Sequence, residues 1–132
     1  MTLNNSLSDS IVRIKNGSIA RKQNIVLNKS KLCLSILKIL RTEGYIRGFK
    51  VEKDFIVVML KYFQDKPVIK DITSYSSLSS KSNISFNQLT ELCENKKTNG
   101  LKLNIVSTSS GIFSDSTCLI NNLGGKLLLK II

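Results

Sequence analysis

The chain has 132 residues, 42% of them hydrophobic, enough for one ordinary domain or two very small ones with a real core. Its 20 basic and 9 acidic residues leave a net charge of +11, which favours a polyanionic partner by long-range attraction without naming it. There is no histidine, so the usual general base and the commonest metal ligand are both missing, and the longest apolar run, Phe55 to Leu60, is far short of the roughly 20 residues that span a bilayer.

The polar opening from Met1 to Ser10 has no Lys or Arg and does not read as a secretory signal, so the fold is expected to begin where the chain begins. Asn5 or Ser6 can cap a first helix. Leu7, Ile11 and Ile14 recur at helical spacing, Asp9 lies near the positive end, and Asn16-Gly17 is expected to close it. Asn24 to Leu27 reads as a short strand, and Ser30 then caps a second helix that carries Leu32, Ile36, Ile39 and Leu40 and ends at Gly44. Ile46 to Val51 and Asp54 to Tyr62 are rich in β-branched and aromatic residues and form a hairpin across Glu52-Lys53. The only proline lies in Gln64-Asp65-Lys66-Pro67 and breaks this sheet, placing a domain boundary between residues 1–66 and 67–132.

The second part opens with a predicted strand from Val68 to Tyr75, followed by a serine-dominated segment, Ser74 to Ser85, expected to be a surface loop or to order on a partner. Phe86, Leu89 and Leu92 support a short helix. Asn99-Gly100 turns into the strand Leu101 to Val106, which runs on into Ser107-Thr108-Ser109-Ser110-Gly111. Ser114 can cap a further short helix through Asp115 and Leu119, and Gly124-Gly125 leads into a last strand, Lys126 to Ile132. The expected class is α+β, or mixed α/β, in two small domains: a helix-strand-helix-strand-strand unit and a β-rich unit with short helices.

The hydroxyl run from Ser107 to Ser110 places donors and acceptors side by side at a strand end, with Gly111 relaxing the backbone. Such a row suits RNA, whose specific readout uses unstacked bases, minor-groove edges and 2′-hydroxyls. On its own it reads first as an ordinary polar turn satisfying its own backbone. A nucleophilic role lacks a histidine or a Ser-x-x-Lys lysine base, and neither Gly111 nor Gly124-Gly125-Lys126 has the spacing of a phosphate loop, so no enzyme is expected. Basic residues concentrate in the leading third, where Arg21-Lys22 in the link between helix and strand and Lys29 with Lys31 at the start of the second helix can meet phosphates beside helix termini, and a further group stands at Lys96, Lys97 and Lys102. The aromatic residues sit mostly in apolar strand patterns and read as core rather than as stacking platforms. Cys33, Cys93 and Cys118 lack the close pairing of a zinc site and read as small packed residues, and no cofactor or metal is called for.

In order, Ser8-Asp9-Ser10-Ile11-Val12-Arg13-Ile14-Lys15-Asn16-Gly17, Ser30-Lys31-Leu32, Glu43-Gly44-Tyr45-Ile46, Leu60-Lys61-Tyr62-Phe63 and Val106-Ser107-Thr108-Ser109-Ser110-Gly111 with Leu123-Gly124-Gly125 resemble the small-subunit ribosomal protein S8 family. The resemblance covers nearly the whole chain. It implies two small α/β domains that bind an irregular stem in the central domain of small-subunit ribosomal RNA, contact neighbouring small-subunit ribosomal proteins and support subunit assembly and translation. It also implies RNA contacts from Ser107, Thr108 and Ser109, with Gly111 permitting the turn, and phosphate and sugar contacts from Lys15, Asn16, Gly17, Ser30 and Lys31, to which the charge reading adds Lys22.

Three departures from that family stand out. Ser110 replaces a usual lysine, the segment Ser77 to Ile84 lacks the usual Pro-Gly turn with its arginine and tyrosine, and Lys126 replaces a usual glutamate while the helix after Asp115 lacks the usual arginines. With Ala20 the only alanine and Ile, Lys, Asn and Ser abundant, these changes fit an organelle-encoded member in the mitochondrial matrix, with a plastid or the bacterial cytoplasm as alternatives. The competing reading is a basic module that binds an acidic protein through an exposed strand edge. No small-molecule substrate and no membrane span are expected.

Overall fold

Apolar residues at helical spacing make the first element a helix, α1 (Leu3–Ile19), with Leu7, Ile11 and Ile14 buried, in a computed structural model that describes residues 3–74, 83–95 and 103–131. The helix runs past Asn16-Gly17, its predicted end. Gly17 is buried, and a Cβ there would collide with the Ile25 side chain, so this glycine lets α1 lie against β1 (Asn24–Asn28) instead of ending the helix. The chain turns at Arg21, whose φ is +58°.

Ser30 caps α2 (Lys31–Thr42) by accepting from the Cys33 amide at 3.1 Å, and Cys33, Ile36, Leu37 and Leu40 form its buried stripe. The hairpin of β2 (Ile46–Val51) and β3 (Phe55–Leu60) is closed by the Glu52 amide, which donates to the Phe55 carbonyl at 2.8 Å. Strand β3 is central in an antiparallel sheet of order β1-β3-β2, and its alternate residues Ile56, Val58 and Leu60 are buried with Ile25 and Leu27. Both helices pack on this sheet, α1 on β1 and α2 on β2.

Beyond it, β4 (Tyr62–Phe63) and β5 (Lys66–Pro67) pair in a two-stranded hairpin of their own, turning through Gln64 and Asp65, both at positive φ. The proline therefore sits in this small ladder. The predicted strand from Val68 shortens to β6 (Ile72–Ser74), because the Val68 amide donates back to the Lys61 carbonyl at 3.1 Å and Ile69 is buried outside any strand. The chain divides into two compact units, Met1–Asp71 and Ile72–Ile132.

The second unit adds β7 (Asn83–Ile84), α3 (Phe86–Asn95), β8 (Leu103–Thr108), β9 (Gly111–Ser114), α4 (Asp115–Ile120) and β10 (Gly125–Ile131). Its antiparallel sheet runs β6-β10-β8-β9, with β7 also on β10. Ser85 and Gln88 open α3 with a capping box, each side chain bonding the other's amide. Leu89, Val106, Cys118 and Leu127 form the buried cluster under the two helices, joined by Ile84, Phe113, Leu119 and Leu123. The other sheet face buries Leu103, Ile105, Leu129 and Ile131. Strand β9 was not predicted: the chain reverses after Thr108 where a single continuous strand was expected. Residues 75–82 of the serine-rich segment, Lys96, Lys97, Lys102 and the Cys93 side chain lie outside the described residues. Helices packed on antiparallel sheets make the class α+β, as the sequence indicated.

Candidate nucleic-acid interface

The hydroxyl run forms the tip of the β8–β9 hairpin. Thr108 pairs with Gly111, and Ser109 and Ser110 are the two exposed residues between them. Neither serine has a positive φ, so the reversal is completed at Gly111, whose φ of +133° is open to glycine and strained for any other residue. The Thr108 hydroxyl is committed to this turn: it donates to the Gly111 carbonyl at 2.8 Å and accepts from the Ser110 amide at 3.2 Å. Among the described residues, neither Ser107, half-buried, nor Ser109, exposed, has a side-chain hydrogen bond, so both hydroxyls keep their capacity to donate and accept.

Ser107 lies on β8 opposite Ile112 of β9 and opposite Lys126 of β10. A Cβ on Gly125 would strike the Ser107 carbonyl, so the missing side chain sets how closely β10 approaches the serine tip. At the base of the hairpin two fully buried polar residues meet: Asn104 Nδ2 donates to Asp115 Oδ2 at 3.2 Å, and the Ser116 amide donates to Asp115 Oδ1 at 2.8 Å. The same carboxylate, after burial itself, holds the Cys118 thiol above its ordinary range, which makes this buried sulfur a poor nucleophile. Sequence reasoning took Gly124-Gly125 only as a turn and missed Asn104. The glycine pair was a visible signal of close backbone approach, whereas nothing local marks a strand asparagine as buried.

In the first unit, Asn16 and Lys22 share a groove of ≈ 520 Å³ between α1 and β1, with Arg13 and Asn24 on its walls. Lys22 is exposed, and its backbone is fixed from two sides. Its amide donates to the Gly17 carbonyl at 2.9 Å, and Tyr62 Oη donates to its carbonyl at 2.6 Å. Burial raises the Tyr62 phenol above its ordinary pKa against the opposing effect of Arg21, so this donor stays protonated at neutral pH. Arg13 is held by its neighbours, with Nε 3.1 Å from Asp9 Oδ2 and Nη1 donating to the Val26 carbonyl at 2.9 Å. Lys15 pairs with Asp71 at 3.3 Å, both side chains being substantially exposed.

Ser30 and Lys31 lie elsewhere in this unit, at the far end of β1. Cys33, in the first turn of their helix, meets Ser10 at 2.9 Å, and Asn28 meets Asp9 at 3.3 Å, more than a helical turn before Asn16. The Ser30 oxygen is already the helix cap, while Lys31 is exposed beside it. The structure thus brings Asn16 and Lys22 together, sets Ser30 and Lys31 apart from them, and gathers Ser107, Thr108, Ser109 and Gly111 on one hairpin tip. No helix among the described residues is long and apolar enough to cross a membrane.

The family described as ribosomal protein S8 matches residues 5–132. Curated relatives with the same name, small ribosomal subunit protein uS8, span 99% of this chain and 99% of their own length: those of Nitrosomonas europaea at 38% identity, Zymomonas mobilis at 35% and Buchnera aphidicola at 34%. With sequence similarity running from end to end, and a mixed α+β fold beneath it, the chain belongs to the ribosomal protein S8 family.

Proposed function

We propose that the chain reads a distorted stem in the central domain of small-subunit ribosomal RNA through Ser107 and Ser109, while Lys15, Asn16, Lys22, Ser30 and Lys31 position it on phosphates and sugars. As a member of the S8 family it is a structural, non-enzymatic component of the small ribosomal subunit that binds ribosomal RNA. The observation that supports the finer reading is the uneven use of the three hydroxyls. Thr108 closes the turn on itself, which leaves the exposed Ser109 on the tip and the half-buried Ser107 beside it with hydroxyls that no side-chain bond consumes. An RNA surface of 2′-hydroxyls and unstacked base edges is complementary to such neutral donor–acceptor groups. Residues 67–132 then act as the reader and residues 1–66 as the basic positioning domain, with neighbouring ribosomal proteins as further partners.

Filter binding to a central-domain transcript from the same genome tests this. Ser107→Ala and Ser109→Ala should each weaken binding by on the order of 1 kcal/mol, the net worth of a hydrogen bond. Parental affinity in both variants would remove the hydroxyls from the interface. The acidic-protein module is not favoured by the family match, and nuclease treatment separates the two readings, since association with the subunit should be lost with its RNA. Composition supports placement in a mitochondrial ribosome, whereas the relatives are bacterial and support the bacterial cytoplasm. A coding sequence located on a bacterial chromosome would overturn the mitochondrial placement.

A further inference from the structure

The hairpin tip has four hydroxyls and no charge, yet its partner is a polyanion. Among the described residues of the second unit only two are cationic, Lys126 and Lys130. Register separates them. Lys130 stands opposite Asn104 and Thr73, toward the buried base of the hairpin, whereas Lys126 stands opposite Ser107. Residues directly opposite on antiparallel strands point to the same sheet face, with Cβ atoms about 5 Å apart. Ile112, Ser107 and Lys126 therefore form one cross-strand row, and all three are half-buried. The same face is fully apolar further along, at Ile105, Leu129, Leu103 and Ile131, so this row is where it opens to polar contact.

Gly125 reinforces the placement, because only a residue without a side chain can follow the Ser107 carbonyl so closely, and it delivers Lys126 next to the hydroxyl. From this arrangement we propose that Lys126 is a phosphate-contacting residue of the RNA site, its ammonium engaging the backbone beside the nucleotide that Ser107 reads. The proposal rests on the Ser107 and Ser109 reading. A lysine's flexible four-carbon stem suits this task, since it supplies charge without demanding a fixed bonding geometry. The site then joins two kinds of contact on neighbouring strands, a charge on β10 that positions and hydroxyls on β8 that specify.

Binding of the full chain to the central-domain transcript over a series of salt concentrations tests the proposal. Lys126→Gln should lower affinity and make the slope of log affinity against log salt shallower by about 0.7–0.9, the change for one lost phosphate contact. Lys126→Arg should restore the slope, which a merely structural loss at this position would not do. Thermal unfolding of both variants identifies any loss of fold, and the Arg variant retains the charge if Gln perturbs the sheet. A parental salt slope in folded Lys126→Gln, alongside weakened binding by Ser107→Ala, would overturn the lysine contact and leave the hydroxyl reading standing. Parental binding by Ser107→Ala and Ser109→Ala would overturn the hydroxyl reading itself.

Discussion

The two units of this chain divide charge and shape between them. The first has 14 basic and 6 acidic residues, a net +8, while the second has 6 and 3, a net +3. Yet the second offers the more defined polar surface, a two-residue hairpin tip whose geometry is locked by Thr108 and Gly111. The first offers lysines and a groove, and part of its polar chemistry is already committed: Ser30 caps α2, Arg13 holds Asp9 and Val26, and Lys15 pairs with Asp71. Two serines of the same chemical type thus have different roles. At Ser30 a helix end claims the oxygen, whereas Ser107 is paired with strands on both sides and its hydroxyl makes no side-chain hydrogen bond among the described residues. On the proposed reading, the basic unit supplies attraction that any polyanion receives and the neutral tip supplies the discrimination.

The sharpest way to break this comparison is through two glycines. An alanine Cβ at Gly125 meets the Ser107 carbonyl, a backbone atom that cannot rotate away, so Gly125→Ala should cost about 2–3 kcal/mol of stability, in the range of overpacked cores, and should weaken RNA binding as well. At Gly17 the contact is a side chain, Ile25, and the substitution gains about 1 kcal/mol of helix propensity in return. Urea unfolding should therefore show Gly17→Ala as the milder change. Equal destabilisation by the two would mean that the β10 backbone yields and does not set the tip.

A somewhat smaller effect is expected at the base of the same hairpin. Asp115→Ala removes the bonds from Asn104 and the Ser116 amide at a fully buried position, and should cost about 1–3 kcal/mol in chemical denaturation. A surface-like change of a few tenths would show that the carboxylate does not hold β8 to the helix.

These two sites also mark the limit of what the sequence discloses. Periodicity located α1, α2, α3 and the β2–β3 hairpin, because each buries one face with a local repeat, and Ser30 and Ser114 each marked a helix start, whereas the Ser85 cap of α3 was hidden in a run of serines. Strand β9 escaped detection because Ile112 and Phe113 are too few to show a period, and what creates the strand is the turn at Gly111. Gly17 misled for the opposite reason: an Asn-Gly pair is a local stop signal, but here packing against Ile25 prevails. The hydroxyl tip was visible as a motif. The distinction between Thr108 and its neighbours was not, since which hydroxyl the turn consumes is decided by three-dimensional geometry.

Ser30→Ala tests the opposite side of the comparison, a serine whose oxygen serves the fold. Loss of the cap should lower stability by about 1 kcal/mol, and Ser30→Gly by only a few tenths. If Ser30 also donates its O–H to RNA, binding will weaken in both variants to the same extent, whereas stability will not. Binding loss that follows stability alone would confine Ser30 to the cap and remove it from the interface.

The smallest effects belong to the single lysines of the first unit, whose attraction is screened over about 8 Å at physiological ionic strength. Lys22 and Lys15 nonetheless differ in a way that salt can resolve. The Lys22 backbone is pinned by Gly17 and Tyr62 while its side chain is exposed at the groove, so Lys22→Ala should make the salt slope shallower by close to one unit if it meets a phosphate. Lys15 must first leave Asp71, an exposed pair worth less than about 1 kcal/mol, so Lys15→Ala should have the weaker effect and Asp71→Asn should strengthen binding slightly at low salt. If Asp71→Asn leaves affinity unchanged at low salt, Lys15 is not exchanging a carboxylate for a phosphate, and the positive groove of Asn16 and Lys22 carries the first unit's contact without it.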